Sequence, residues 1–307
     1  MWHYPQIDPV AISLGPLQIH WYALSYLIGI SLVWWHLAVR NRQHGMAQGA
    51  DAAQQQQQSG KTRPAKKGQA KTSAKARFSV YQRPVWTPEQ LSDLVFYAVL
   101  GVILGGRIGY MLFYGLDQIM ANPLSILRIW EGGMSFHGGM LGVFIGMYWF
   151  GKKSGYSFFQ VTDFIAPSIP IALGCGRIGN FINGELPGRI TDVSWAVIFP
   201  GEAVARHPSS LYQATLEGPV LFLLLWLFAR ANRPTMAISG MFLVGYGSLR
   251  FISEFFRRPD LHMGKDGFIA FDWLTTGQLL SVPMVVFGIA FIAYSYRQTA
   301  NLENKTT

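Results

Sequence analysis

The sequence contains a single cysteine, Cys175, which excludes an internal disulfide framework and a thiolate-based metal cluster. Charge is also scarce. Asp, Glu, Lys and Arg make up 13% of the 307 residues, about half the share of a soluble domain. No His, Cys and carboxylate set stands at ligand spacing on one helical face, so neither a metal nor another cofactor is expected. No internal repeat relates the two halves, whereas many transporters are built from such repeats. Residues 1–16 lack a basic stretch ahead of the first apolar run. That run is long enough to stay in the membrane, so no cleavable leader is expected.

Apolar residues fill the deficit, at 50% of the chain, gathered in runs near or above the ~17–25 residues that cross a bilayer. The expected fold is an all-α integral membrane protein with seven transmembrane helices. The spans are Ile19–Val39, Leu91–Tyr114, Met134–Phe150, Phe158–Cys175, Ser210–Ala229, Ala237–Phe256 and Leu274–Tyr296. The fourth carries Pro167 and Pro170, so kinks are expected there. Residues 1–18, with Pro5, Pro9 and Pro16, form an amphipathic opening expected at the interface.

The net charge of +9 could suit nucleic acid, but its distribution follows membrane topology, so no nucleic-acid partner is expected. Most Lys and Arg fall in residues 40–90 and at Lys152, Lys153, Arg230, Arg233, Arg297 and Lys305. The positive-inside rule puts that side in the cytoplasm, with the N-terminus periplasmic and the C-terminus cytoplasmic. The stretch 45–84 holds Gln54–Gln58 and a Lys/Ala/Ser tract without apolar periodicity. It is read as a low-complexity, disordered cytoplasmic insert in one polytopic domain; a polybasic tether to anionic lipid is the alternative.

Against this background the polar side chains stand out. After an apolar run come Arg177, Asn180, Asn183 and Glu185, within Gly174–Arg189. An ionisable group at membrane depth costs about 2.5–3.5 kcal/mol on insertion scales, so such groups usually line a site. Arg177 and Asn180, three apart, share a helical face. Tyr246, Arg250, Glu254 and Arg257 fall at i, i+4, i+8 and i+11, one stripe of an otherwise apolar helix. Arg250 and Glu254 can pair along it. His137 lies between Gly132-Gly133 and Gly138-Gly139, and imidazole is suited to taking a proton near neutral pH. His20-Trp21-Tyr22 reads as an aromatic belt, and Arg107 is a further intramembrane cation. Cys175, between two glycines, reads as a small packing residue. Two arginines on separate helices suit a phosphate through charge-assisted, bidentate hydrogen bonds. A phospholipid is the phosphate available at that depth. The residues therefore point to a membrane enzyme acting on a lipid headgroup. An anion transporter or channel, or a non-catalytic lipid-binding scaffold, remain as alternatives.

Gly176-Arg177-Ile178-Gly179-Asn180-Phe181-Ile182-Asn183-Gly184-Glu185 resembles the signature of bacterial prolipoprotein diacylglyceryl transferases. The resemblance continues in family order. It takes in Ile7-Asp8-Pro9-Val10, Gly15-Pro16, His20-Trp21-Tyr22, Gly105-Gly106-Arg107-Ile108-Gly109-Tyr110 and Gly133-Met134-Ser135-Phe136-His137-Gly138-Gly139. It then includes Arg206-His207-Pro208-Ser209, Gly245-Tyr246-Gly247 and Glu254-Phe255-Phe256-Arg257. Two departures are the longer Gln- and Lys-rich insert and Gln213, where the family often has glutamate; Gln213 is given no role. The resemblance implies transfer of the diacylglyceryl group of phosphatidylglycerol, a membrane lipid, to the lipobox cysteine of prolipoprotein signal peptides. It also implies seven spans in the bacterial inner membrane and a site open to the periplasmic side. On that basis His137 is expected to take the thiol proton, with Tyr22 and Tyr246 orienting the reactants. Arg177 and Arg250 would bind phosphate, and Asn180 and Glu185 would hold Arg177 and the headgroup. Glu254 would fix Arg250, Gly188 would allow a tight loop, and Asn183 and Arg257 would complete the binding set. Arg250 or Glu185 are the alternative activators of the thiol.

Overall fold

The computed structural model describes residues 1–15, 17–59, 84–259, 267–271 and 273–304. These fall into two compact units: one within 1–36 and 165–304, the other within 37–59 and 84–164.

Four short strands occur among the described residues, beyond the all-α expectation. Strand β1 (Trp2–His3) pairs in parallel with a later strand, Val197–Ile198, while β2 (Val10–Leu14) and β3 (Leu17–His20) form an antiparallel hairpin. Within the amphipathic opening, residues 2–3, 10–14 and 17–20 are thus strand, and Pro5 and Pro9 fall between strands, where a missing N–H interrupts no ladder.

Helix α1 (Trp21–Ser59) runs well past the expected end at Val39. The Ala- and Gln-rich residues after Gly45 are good helix formers, and the helix enters the stretch read as an insert. Residues 60–83 of that stretch lie outside the described residues. Helix α2 (Pro88–Tyr114) starts at a capping box, in which Thr87 and Gln90 satisfy each other's backbone N–H, with Pro88 in the first turn. After α3 (Leu116–Ala121), α4 (Phe136–Ser154) begins at Ser135, whose hydroxyl caps Gly138 N–H, and ends at left-handed Gly155 (φ 78°). Helices α2 and α4 meet through glycines. A Cβ on Gly101 would lie 2.5 Å from the Gly142 carbonyl, so no side chain fits between the backbones.

The first unit supplies the remaining elements. Helix α5 (Phe158–Ile165) leads into it and passes through a 3₁₀ turn, Ala166–Ser168, into α6 (Ile169–Ile182). Pro167 and Pro170 produce the expected break. After β4 (Val197–Ile198), α7 (Ser209–Thr215) joins α8 (Leu221–Arg230) through a π-helical turn, Leu216–Val220. There Pro219 cannot donate and Gly218 takes non-helical angles (φ −93°, ψ −106°). Helix α9 (Ala237–Ser253) and α10 (Thr276–Glu303) cross closely at Gly240 and Gly288, where a Cβ on Gly240 would sit 2.8 Å from the Gly288 carbonyl.

Among the described residues, five helical stretches are long and apolar enough to cross a membrane: Trp21–Ala50, Pro88–Tyr114, Phe158–Ile182, Ser209–Arg230 and Thr276–Leu302. Ala237–Ser253 is shorter but apolar. The expected third span, Met134–Phe150, falls on α4, which is outside that set.

Candidate active site

The site is built on a run of alternating charge. Glu217, in the π turn, has no exposed side-chain surface and holds two arginines from two different helices. Arg177 of α6 donates from Nε to Oε2 at 3.0 Å, and Arg250 of α9 approaches Oε1 with Nη1 at 3.6 Å. Arg250 then places Nη2 2.9 Å from Glu254 Oε2, and Arg257 donates from Nη1 to Glu254 Oε1 at 3.2 Å. Arginine and glutamate therefore alternate from Arg177 to Arg257. The expected pairing of Arg250 with Glu254 is present, but the expected stripe is shorter: α9 ends at Ser253, Glu254 caps it, and Arg257 stands beyond the turn that follows. Tyr246, one turn before Arg250, interacts with the Arg177 guanidinium and stacks on Phe242 at 5.8 Å.

Glu217 is the residue that sequence reasoning missed. It sits inside the expected fifth span, Ser210–Ala229, before Gly218-Pro219. A carboxylate inside an apolar run, beside a helix-breaking pair, was the available signal. Its position also corrects one expectation. The ion-pair partner of Arg177 is Glu217 rather than Glu185. Glu185 instead accepts from Asn180 Nδ2 at 2.8 Å and Asn183 Nδ2 at 3.1 Å. The reason is geometric: α6 ends at Ile182 and Gly184 turns with φ 69°, carrying the exposed Glu185 away from the helical face of Arg177. Tyr22, in the first turn of α1, interacts with Asn180 and Glu185, and its hydroxyl lies 3.1 Å from that of Tyr26. A Cβ on Gly179 would be 3.3 Å from the Tyr22 ring, so α6 admits α1 closely at this point. Two polar groupings thus lie along α6: Arg177 with Glu217 and Tyr246, and Asn180 with Asn183, Glu185 and Tyr22.

Gly188 lies in the loop that follows. Its N–H donates to the His207 carbonyl at 2.9 Å, and Arg206 Nη1 donates to the Gly188 carbonyl at 3.2 Å. An added Cβ would meet the carbonyl oxygens of His207 and Phe256 at 2.5 and 2.6 Å, so the loop has no room for a side chain here. The next residue, Arg189, donates from Nε to the Arg257 carbonyl at 3.1 Å, tying the loop to the end of the charged run. Two residues before Gly188, Leu186 has φ 58°, a strained conformation for a non-glycine. Its carbonyl accepts from Ser209 Oγ at 2.6 Å.

His137 and Arg107 belong to the other unit. His137 stands exposed in the first turn of α4, edge-on to Phe136 at 5.6 Å. Arg107, 3% exposed, donates to the carbonyls of Ile126 at 3.1 Å, Ser125 at 2.7 Å and Gly132. It is a strut for the loop that precedes His137. Cys175 packs its Cβ where a Cβ on Gly29 would come within 3.2 Å, which agrees with a small packing residue.

Long apolar helices bearing a buried guanidinium–carboxylate network, with tyrosines beside it, define a membrane protein whose site suits an anionic group. A family model described as prolipoprotein diacylglyceryl transferase matches residues 9–57 and 71–294. The chain belongs to that family, and it is a transferase of lipoprotein biosynthesis. It is 51% identical over 298 residues, covering 97% of each chain, to a Pseudomonas aeruginosa (strain LESB58) protein named phosphatidylglycerol–prolipoprotein diacylglyceryl transferase. Proteins of the same name from Ectopseudomonas mendocina (strain ymp) and Pseudomonas fluorescens (strain SBW25) are 52% and 48% identical, with 96% and 98% of each chain covered.

Proposed function

We propose that the chain transfers the sn-1,2-diacylglyceryl group of phosphatidylglycerol to the lipobox cysteine thiol of prolipoprotein signal peptides. The sulfur attacks the glyceryl carbon next to the phosphate, a C–S thioether forms, the C–O bond to the phosphate breaks, and glycerol phosphate leaves with the bonding electrons. The thiol proton goes to His137, since a free thiol with a pKa near 8.5 reacts as thiolate. Arg177 and Arg250 bind the phosphodiester and take up the charge that grows on the leaving phosphate, with Arg257 extending the positive field. Glu254 fixes Arg250. Asn180, Asn183 and Glu185 form a polar station for the glycerol headgroup, Tyr22 and Tyr246 orient the reactants, and Gly188 permits the loop beside them.

The observation that carries this reading is the two-armed grip of Glu217. One buried carboxylate fixes guanidinium groups from α6 and α9, and Tyr246 also meets the Arg177 guanidinium. A scaffold that merely crossed the bilayer would gain little from such a costly arrangement. The test is thioether formation between labelled phosphatidylglycerol and a lipobox peptide in mixed micelles. Arg177→Ala, Arg250→Ala and His137→Gln should each remain in the membrane and lose transfer. Full turnover by His137→Gln would remove it as the base.

The same reading places the chain in the bacterial inner membrane, with seven spans, a periplasmic N-terminus, a cytoplasmic C-terminus and the site open to the periplasm. The concentration of Lys and Arg at 40–90, Lys152, Lys153, Arg230 and Arg233 supports that orientation. It makes the chain one polytopic domain with 45–84 as a cytoplasmic insert.

A further inference from the structure

Glu254 is 2% exposed and joins Arg250 to Arg257, yet its carboxylate also faces a gap. The gap is Gly277, in the first turn of α10. A Cβ there would lie 2.7 Å from Glu254 Cδ, 2.8 Å from Oε1 and 2.9 Å from Oε2. We infer that Gly277 is a positioning residue of the anion site: its missing side chain seats the Glu254 carboxylate where it aligns Arg250. This deepens the reading of Arg250 as a phosphate ligand and rests on it.

Three features make the gap specific. Elsewhere on α10, Gly288 gives room to a backbone carbonyl and to Val244, as helix packing requires, whereas at Gly277 the three nearest atoms all belong to one charged side chain. The carboxylate lies against the N-terminal turn of a helix running from Thr276 to Glu303, where unpaired backbone N–H groups favour negative charge. And that turn is held in place by the Thr275–Gln278 capping box, so it cannot yield easily.

A methyl group at residue 277 forces the carboxylate to withdraw. Ordinary contact begins at 3.4 Å, so the retreat is about 0.7 Å from the present 2.7 Å. Glu254 has no solvent to move into, and its 2.9 Å contact with Arg250 Nη2 must lengthen or turn. Misplacement of a substrate-binding group by about 1 Å can cost on the order of 10²-fold in rate.

The experiment compares the parent, Gly277→Ala, Glu254→Asp and the double variant in the full-length, detergent-solubilised enzyme. Readouts are kcat and KM for labelled phosphatidylglycerol with a lipobox peptide. Each single variant should lose about tenfold or more in kcat/KM. Asp is one methylene shorter and leaves room for the methyl that Gly277→Ala adds, so the double variant should recover activity above Gly277→Ala. A residue that only packed helices would show no such rescue by a shorter acid. Unchanged activity in Gly277→Ala, or a double variant no better than Gly277→Ala, overturns the inference. Loss of folding in both variants that carry Gly277→Ala also overturns it, because the shorter acid should relieve the clash. Failure of the parent to form thioether would instead sink the proposed function.

Discussion

Replacing Glu217 by glutamine sets two effects against each other. The change removes one negative charge from a run of three arginines and two glutamates, raising its net charge from +1 to +2. If charge alone bound the lipid phosphate, the variant would hold phosphatidylglycerol more tightly and KM would fall. If Glu217 acts by fixing geometry, the outcome is the reverse. Glutamine preserves size but offers one carbonyl oxygen where the carboxylate engaged Arg177 at 3.0 Å and Arg250 at 3.6 Å through separate oxygens. One arginine is then released, and the two guanidinium groups repel without a buried anion between them. Removing one partner of a buried ion pair costs about 3–5 kcal/mol. Arg177 and Arg250 are 23% and 15% exposed, so some water reaches them and the stability loss should lie near the lower end. Loss of one fixed electrostatic donor lowers kcat by roughly 10²–10³-fold, or about 2.7–4 kcal/mol of transition-state stabilisation. The expected result is therefore a kcat lower by at least about 10²-fold with an unimproved KM, measured in mixed micelles on variant protein that remains folded by thermal denaturation. Unchanged kcat with a lower KM would refute the positional argument and leave summed charge as the explanation. Glu217→Asp, which retains both oxygens, should recover part of the loss.

Further expectations follow from the same geometry. Cys175→Ala keeps the Cβ that packs near Gly29 and should leave transfer close to the parent level, because the nucleophile belongs to the substrate. Gly188→Ala drives a methyl into two backbone carbonyls and should cost about 1–3 kcal/mol of stability as well as activity, read by denaturation and by the transfer assay. Burial holds the His207 imidazole below its ordinary pKa, so the folded state disfavours the proton that the unfolded chain accepts. Its contribution to stability is present above about pH 6.5 and is lost as pH falls through the lower folded value, and His207→Gln should flatten that part of a stability–pH profile. In a Cys175→Ala background, single cysteines introduced at Lys152 and at Ile190 should be labelled by an impermeant maleimide from opposite sides of the membrane. Labelling of both from one side would overturn the proposed topology.

What the sequence revealed and what it hid divide along a physical line. Tyr246, Arg250 and Glu254 were legible because one helix and its C-cap space them, and the 3.6-residue period turns spacing into a shared face, whereas Arg257 lies past the helix end and reaches Glu254 from there. Arg177 and the two asparagines were legible because polar groups are costly in an apolar run. The partner of Arg177 was not, since Glu217 lies 40 residues away on another helix and no local period connects them. The break at Gly218-Pro219 shifts the helical register there, so a face counted at ordinary α-helical spacing would have pointed Glu217 elsewhere. The expected contact of Glu185 with Arg177 fails for a related reason: Glu185 follows the end of α6, where counting residues no longer tells which way a side chain points. Gly277 was invisible for a third reason, because a space kept for another residue's carboxylate leaves no mark on the sequence around it. Intrahelical order is thus readable from spacing. The grip on the arginines depends on contacts between helices, so substitutions at Glu217 and Gly277 probe the part of the site that sequence period alone could not specify.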